Sequence, residues 1–188
     1  MKVLLDTCVL YPTVMREVLL GVAAKGVYTP LWSQRILDEW TRAAAGKLGP
    51  EGQVQAEAEI SMVSARWPDA IVAPGAGLLD RLWLPDKNDV HVLAAAIAGN
   101  ADVIVTMNAK DFPRGVLAEE GCSRADPDAF LMGFAQAEPE TVLDVVSSVH
   151  AETNRLSDRV WDMRALLKKA RLPRLAKFSG RGPDYSYE

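Results

Sequence analysis

The sequence predicts an α/β fold, a mainly parallel central sheet with packed helices, followed by C-terminal helices. Three observations carry this. Short apolar runs at Lys2–Leu5 and 102–106 have the length and residue types of buried strands. Longer segments with apolar residues three and four apart alternate with them, and such alternation builds a parallel sheet. Gly and Pro punctuate the boundaries, at Gly26, Gly46, Gly49-Pro50, Trp67-Pro68, Pro85 and Gly99.

The first strand, Lys2–Leu5, runs into Asp6, and a helix over Thr13–Ala24 follows. A second helix over 31–45 carries Trp32, Ile36 and Trp40 four apart on one face, and a third spans 51–66. A β-prone run at 70–73 and an apolar stretch at 78–84 lead to Asp86-Lys87-Asn88-Asp89. The Ala-rich segment Val90–Ala98 is a helix capped by Gly99-Asn100, and 102–106 is the clearest strand. Beyond Phe112-Pro113 the pattern turns helical, with a helix start at Asp126-Pro127-Asp128 and two or three helices reaching about Arg171. The expected organisation is an α/β domain over 1–135, a helical extension over 136–172 and a flexible basic tail over 173–188, where Gly180, Gly182 and Pro183 fall.

Charge is unevenly spread. Residues 151–188 hold nine basic and five acidic side chains (+4), against 12 basic and 20 acidic (−8) in the rest. A basic tail on an acidic body calls for an anionic partner. No stretch approaches the roughly 20 apolar residues of a membrane helix, so no membrane is expected. The N-terminus lacks a secretory pattern, and two cysteines make neither a disulfide framework nor a four-Cys zinc site. The expected location is the cytoplasm.

Binding sites in an open parallel sheet lie at the carboxyl ends of the strands. Asp6-Thr7 follows the first strand; Thr106-Met107-Asn108 and Asp111 follow the later one. Asp86 and Asp89 open the helix at the same edge, and Glu39 flanks the Trp32/Ile36/Trp40 stripe. Carboxylates gathered this way raise one another's pKa unless a cation compensates. All-oxygen donors suit Mg²⁺ or Mn²⁺ rather than zinc. Each residue also has a structural reading. Asp6-Thr7 caps the next helix equally well, and Asp86 and Asp89 fit N-cap and first-turn positions. Glu39 pairs with Arg35 one turn earlier, and Asn108 and Asp111 are ordinary turn residues.

Four patterns resemble the PIN-domain nucleases, the family that includes the toxins of bacterial VapBC toxin–antitoxin pairs. They are Val3-Leu-Leu-Asp6-Thr7, Leu37-Asp-Glu39-Trp40, Asp86-Lys-Asn-Asp89 with its Ala-rich helix, and Val103-Ile-Val-Thr106-Met-Asn108-Ala-Lys-Asp111-Phe112-Pro113. Their order and spacing both fit, over about residues 1–135, and the helical remainder resembles the extension of longer members. The resemblance implies an α/β/α sandwich and a divalent-metal endoribonuclease. Asp6 matches the first-strand metal ligand, Glu39 the helical acid and Asp89 the acid opening the Ala-rich helix. Asn108 stands where many members have a fourth Asp; the neutral amide is a weaker ligand, and Asp111 or Asp86 is the alternative source of charge. Thr7 and Thr106 are expected at the ligand sphere or substrate.

The implied reaction is hydrolysis of RNA phosphodiesters, with the ion activating water and stabilising the charged transition state. The implied partners are single-stranded or loop RNA, a cognate antitoxin and a second copy in a homodimer. His91 reads as packing or surface and His150 as non-catalytic. Arg164, Lys168 and Lys169 lie in an acid-free cationic run that either tracks RNA phosphates or is a solvated helix end. A PIN-like scaffold that binds RNA or protein with weakened catalysis is the alternative Asn108 keeps open. A haloacid-dehalogenase-like phosphatase is set aside, because Cys8 stands where that family has its second Asp.

Overall fold

The computed structural model describes residues 1–180. The chain divides into two compact units. One comprises Met1–Tyr11 and Tyr28–Asp126; the other comprises Pro12–Val27 and the chain from Pro127 onward.

The first unit is built on a sheet of β1 (Lys2–Leu5), β2 (Thr29–Leu31), β3 (Val103–Val105) and β4 (Ser123–Ala125), ordered β2-β1-β3-β4 with every pairing parallel. Val3, Leu4, Leu5, Ile104 and Val105 are completely buried, as expected for central strands of a parallel sheet. Of the two edge strands, β2 buries Pro30 and Leu31, while β4 is exposed to half-buried throughout. Pro30 in β2 is tolerable because an edge strand leaves one row of N–H groups outside the ladder. The β-prone run at 70–73 contributes a single bridge, Ile71 to Trp32.

A short helix α1 (Thr7–Leu10) follows β1 directly, and α3 (Gln34–Arg66) follows β2. The two sequence-predicted helices at 31–45 and 51–66 are the arms of α3. They meet at Gly49, whose φ of 69° and ψ of −156° interrupt the helix just before Pro50. Trp32, Ile36 and Trp40 are all buried, but Trp32 is not on the helix expected over 31–45: Leu31 ends β2, Trp32 bridges to Ile71, and α3 starts only after its cap Ser33. The stretch at 78–84 includes most of a short helix, α4 (Ala76–Arg81). A 3₁₀ turn, Lys87–Asp89, leads into α5 (Val90–Ala98), which packs against β1 and β3. Residues 91–96 of α5 are all buried, and three consecutive alanines there let the helix approach the sheet closely. A short helix α6 (Arg114–Glu119) joins β3 to β4.

The second unit contains α2 (Thr13–Ala24), α7 (Pro127–Ala137), α8 (Pro139–Leu156), α9 (Met163–Lys169) and α10 (Pro173–Ser179). Gly21 lets α2 and α8 touch, since a Cβ there would lie 2.5 Å from Val145 Cγ1. Two expectations change. The structural division falls after Asp126 rather than at 135, and α2 groups with the C-terminal helices. Pro173–Ser179, read from composition as the start of a loose tail, is a helix. Leu175 and Ala176 are buried, and buried Asp128 accepts the α10 backbone N–H groups of Arg174 at 2.8 Å and Leu175 at 3.0 Å. The rest of that tail, 181–188, lies outside the described residues. Among the described residues, no helix is long and apolar enough to cross a membrane.

Candidate active site

Strand order changes direction between β1 and β3, and the carboxyl ends of strands flanking such a switch point are where open parallel sheets bind ligands. Asp6 and Thr106 stand there, each one residue past its strand. The Asp6 N–H extends the pairing to Val105 O at 3.2 Å. Asp6 is the N-cap residue of α1, but its carboxylate makes no capping bond. Instead, Oδ2 accepts from Thr106 Oγ1 at 2.7 Å and from Cys8 Sγ at 3.1 Å. Both donors meet Oδ2, so the capping reading of Asp6 fails and Oδ1 faces elsewhere.

Thr106 is buried and doubly used, because its hydroxyl also accepts the Asn108 N–H at 3.0 Å. Cys8 accepts the Met107 N–H at 3.2 Å. Burial, and then the charge of Asp6, push the Cys8 thiol up to about 12, so it stays protonated and acts as a donor. The Asp111 N–H bonds Asn108 O at 2.9 Å, closing the turn after β3. Asn108 thus sits in the loop that carries Thr106 and Asp111.

Glu39 is reached from α1. Thr7 Oγ1 donates to Glu39 Oε2 at 3.1 Å and lies 3.3 Å from Ile36 O. The Thr7 hydroxyl therefore orients Glu39. On the other oxygen, Oε1, lie Arg35 Nε at 3.6 Å, Arg42 Nη2 at 3.7 Å and His91 Nε2 at 2.9 Å. The His91 contact is close but off the hydrogen-bonding direction, and both ring nitrogens are buried without a hydrogen-bond partner. Burial outweighs the opposing pull of Glu39, so the His91 pKa lies below its ordinary value and the neutral ring is favoured.

Asp86 and Asp89, alike in sequence, differ in place. Asp86 Oδ1 accepts the Asn88 N–H at 2.8 Å, which makes it the cap of the 3₁₀ turn. Asp89 precedes α5 without any side-chain cap bond. Its carboxyl is pushed up to about 6, first by burial and then by the charges of Asp6, Asp86, Asp111 and Glu39. Every charge acting on it is acidic. Asp6, Glu39, Asp86, Asp89 and Asp111, drawn from four separated segments, therefore share one electrostatic neighbourhood.

This donor set is all oxygen and negatively charged without compensation at Asp89, which fits a hard divalent cation. Among the described residues, however, no three His, Cys, Asp or Glu side chains stand in a ready ion-holding group. Arg164, Lys168 and Lys169 belong to α9 in the second unit. Sequence reasoning passed over Cys8 and His91 as site residues. Their signals were position: each lies two residues beyond an acid of the site.

Fold and site together define an α/β domain with a cluster of acidic residues at the switch point of a parallel sheet. The chain belongs to the PIN-domain family: the PIN domain family model matches residues 2–110, more than half of the chain. That span includes Asp6, Glu39, Asp86, Asp89 and Asn108, and stops just before Asp111. PIN domains are generally nucleases and typically use divalent metals. No curated protein and no solved structure matches the chain.

Proposed function

We propose that the protein is a divalent-metal-dependent endoribonuclease that hydrolyses RNA phosphodiester bonds, and that it is the toxin of a toxin–antitoxin pair. The observation that carries the nuclease reading is the gathering of Asp6, Glu39, Asp86, Asp89 and Asp111 at the switch-point edge of the sheet, where burial and the other four carboxylates raise Asp89. Asp6 and Asp89 would hold the ion, supported by Glu39 and by Asp111 or Asp86; Mg²⁺ and Mn²⁺ suit these donors. When bound, the ion supplies positive charge to the scissile phosphate and lowers the pKa of the attacking water.

The chain's own residues prepare that site. Thr106 and Cys8 fix the Asp6 carboxylate by binding one oxygen, which orients the other. Thr7 and the Arg35, Arg42 and His91 side hold Glu39 in a single orientation. No histidine is needed as a base. The toxin assignment rests on the likeness of the four motifs to VapC-type toxins. It implies a cognate antitoxin that silences the enzyme by covering the acidic cluster.

The test is cleavage of total RNA by purified protein with Mg²⁺ or Mn²⁺, compared with EDTA and with Asp6→Ala and Asp89→Ala. Discrete metal-dependent fragments, absent from both folded variants, support the nuclease reading. No cleavage by folded, partner-free protein with either metal refutes it. A second reading, a PIN-like scaffold with weakened catalysis, is favoured by Asn108 and by the lack of a ready three-donor group among the described residues. Asn108→Asp separates the two, since a large gain in cleavage marks a weakened enzyme. For the toxin role, co-expression with a neighbouring small gene should yield a stable inactive complex; free, active protein in its presence refutes that role.

A further inference from the structure

The α9–α10 hairpin concentrates positive charge in one stretch of a unit that is close to neutral in total. Residues 163–180 contain six cations, Arg164, Lys168, Lys169, Arg171, Arg174 and Lys177, and no acid. All six are exposed, while Leu166, Leu167, Leu172, Leu175 and Ala176 are buried. The hairpin is therefore amphipathic, with its leucines inward and a wholly cationic outer face. Two carboxylates that touch the hairpin are already engaged. Asp162 caps α9 through the Ala165 N–H, and buried Asp128 is bonded to the α10 backbone. Among the described residues, no ion pair is formed by Arg164, Lys168, Lys169, Arg174 or Lys177.

Two contacts fix part of this face. Trp161, just before α9, has the Arg159 guanidinium 3.3 Å and the Lys169 ammonium 4.6 Å from its ring centroid. Such cation–π contacts hold two long side chains that would otherwise lose rotamer freedom on binding an anion. With both cations over the ring, Trp161 organises charge rather than stacking a base. The Arg164 stem crosses Gly180, where an added Cβ would lie 2.7 Å from its Cδ, so the guanidinium is led across the end of α10.

Like charges on one surface repel and are stabilised by a polyanion that tracks several of them at once. We propose that the α9–α10 face, with the Arg159-Trp161-Lys169 cluster, binds the RNA phosphate backbone without reading sequence. This rests on the ribonuclease reading of the acidic site, to which it adds a docking surface for the substrate. An acidic protein partner is the competing occupant.

The test uses full-length protein in EDTA, where binding is measured without cleavage, and a single-stranded RNA oligonucleotide as probe. The variant is the exposed triple Lys168→Ala/Arg174→Ala/Lys177→Ala, with Arg66→Ala on α3 as a control and circular dichroism to verify the fold. Each lost phosphate contact lowers the slope of log affinity against log salt by about 0.7 for single strands, so the triple should lose about 2. Its Kd at low salt should rise tenfold or more, with Arg66→Ala close to wild type. Unchanged affinity and salt slope in the triple variant overturn the proposal and leave the face to a protein partner. Cleavage by wild type with Mg²⁺ or Mn²⁺ is scored separately. Cleavage with an indifferent triple variant sinks only the docking surface, whereas salt-sensitive binding without cleavage sinks only the nuclease reading.

Discussion

Asp89→Asn should make the metal-free protein more stable while abolishing its activity. The native carboxyl sits at about 6 against an ordinary aspartate value of 3.8, a displacement worth roughly 3 kcal/mol. The group is half-buried, and solvent screening reduces this to about 1–3 kcal/mol. Because the folded pKa is raised, the native state binds the proton more tightly than the unfolded chain. Stability contributed by Asp89 is therefore gained as pH falls from about 6 towards 3.8, and above 6 the ionised group opposes folding at full strength. Asn removes that opposition. In EDTA at pH 8 the variant should melt about 2–12 °C above wild type, given 2–4 °C per kcal/mol for a chain of this size. At pH 4 the gap should close. Excess Mn²⁺ should raise the wild-type midpoint and leave the variant nearly unmoved. Thermal melts across pH, with and without Mn²⁺, read all three effects. Equal midpoints at pH 8 in EDTA, or a gain that persists undiminished at pH 4, would refute an uncompensated carboxylate at this site.

Thr106→Val removes the 2.7 Å bond to Asp6 while keeping the side-chain volume, and should weaken Mn²⁺ binding by about 10–100-fold in calorimetric titration. Glu39→Gln should weaken the same binding less than Asp89→Asn does, because Arg35 and Arg42 already offset the Glu39 charge; the two titrations side by side decide it. Asp128→Ala strands the Arg174 and Leu175 N–H groups and should cost about 1–3 kcal/mol, with hydrogen exchange faster along α10. Gly21→Ala drives a methyl onto Val145 and should cost about 1–3 kcal/mol in denaturant unfolding, with no effect on the acidic site's metal affinity.

The central strands were legible and the edges were not, for a physical reason. β1 and β3 are flanked on both sides, so their residues are apolar in succession and stand out. β2 is Thr29-Pro30-Leu31, too short and proline-interrupted to stand out although Pro30 and Leu31 are buried, and β4 is Ser123-Arg124-Ala125, whose exposed and half-buried positions carry no apolar signature. The helix over Pro173–Ser179 was missed because its stability comes from two buried side chains and an acceptor 45 or more residues earlier, Asp128, rather than from local composition. α2 was legible as a helix but not as part of the second unit, since its partner α8 is set by the Gly21–Val145 contact.

The site divides along the same line between local and distant causes. Asp6, Asp86 and Asp89 all precede helical turns, and local preference gives each the same role, a cap. Only Asp86 takes it, because Asn88 N–H is the donor within its reach and no distant group competes. Asp6 is turned away from its helix by Thr106, a donor 100 residues on that the sheet brings to 2.7 Å. Asp89 stands amid charges from Asp6, Asp111 and Glu39, which no local window contains. Asp89 lies inside the run from the 3₁₀ turn into α5, with helical φ of −88° and ψ of −6°, so it has no cap to make and its cost comes from burial among like charges. Such a cost persists at sites where a ligand recovers it. Asp6, turned from its helix to Thr106, and Asp89, held among like charges, rather than the acidic residues as a set, are therefore what separates this sheet edge from an ordinary row of helix starts.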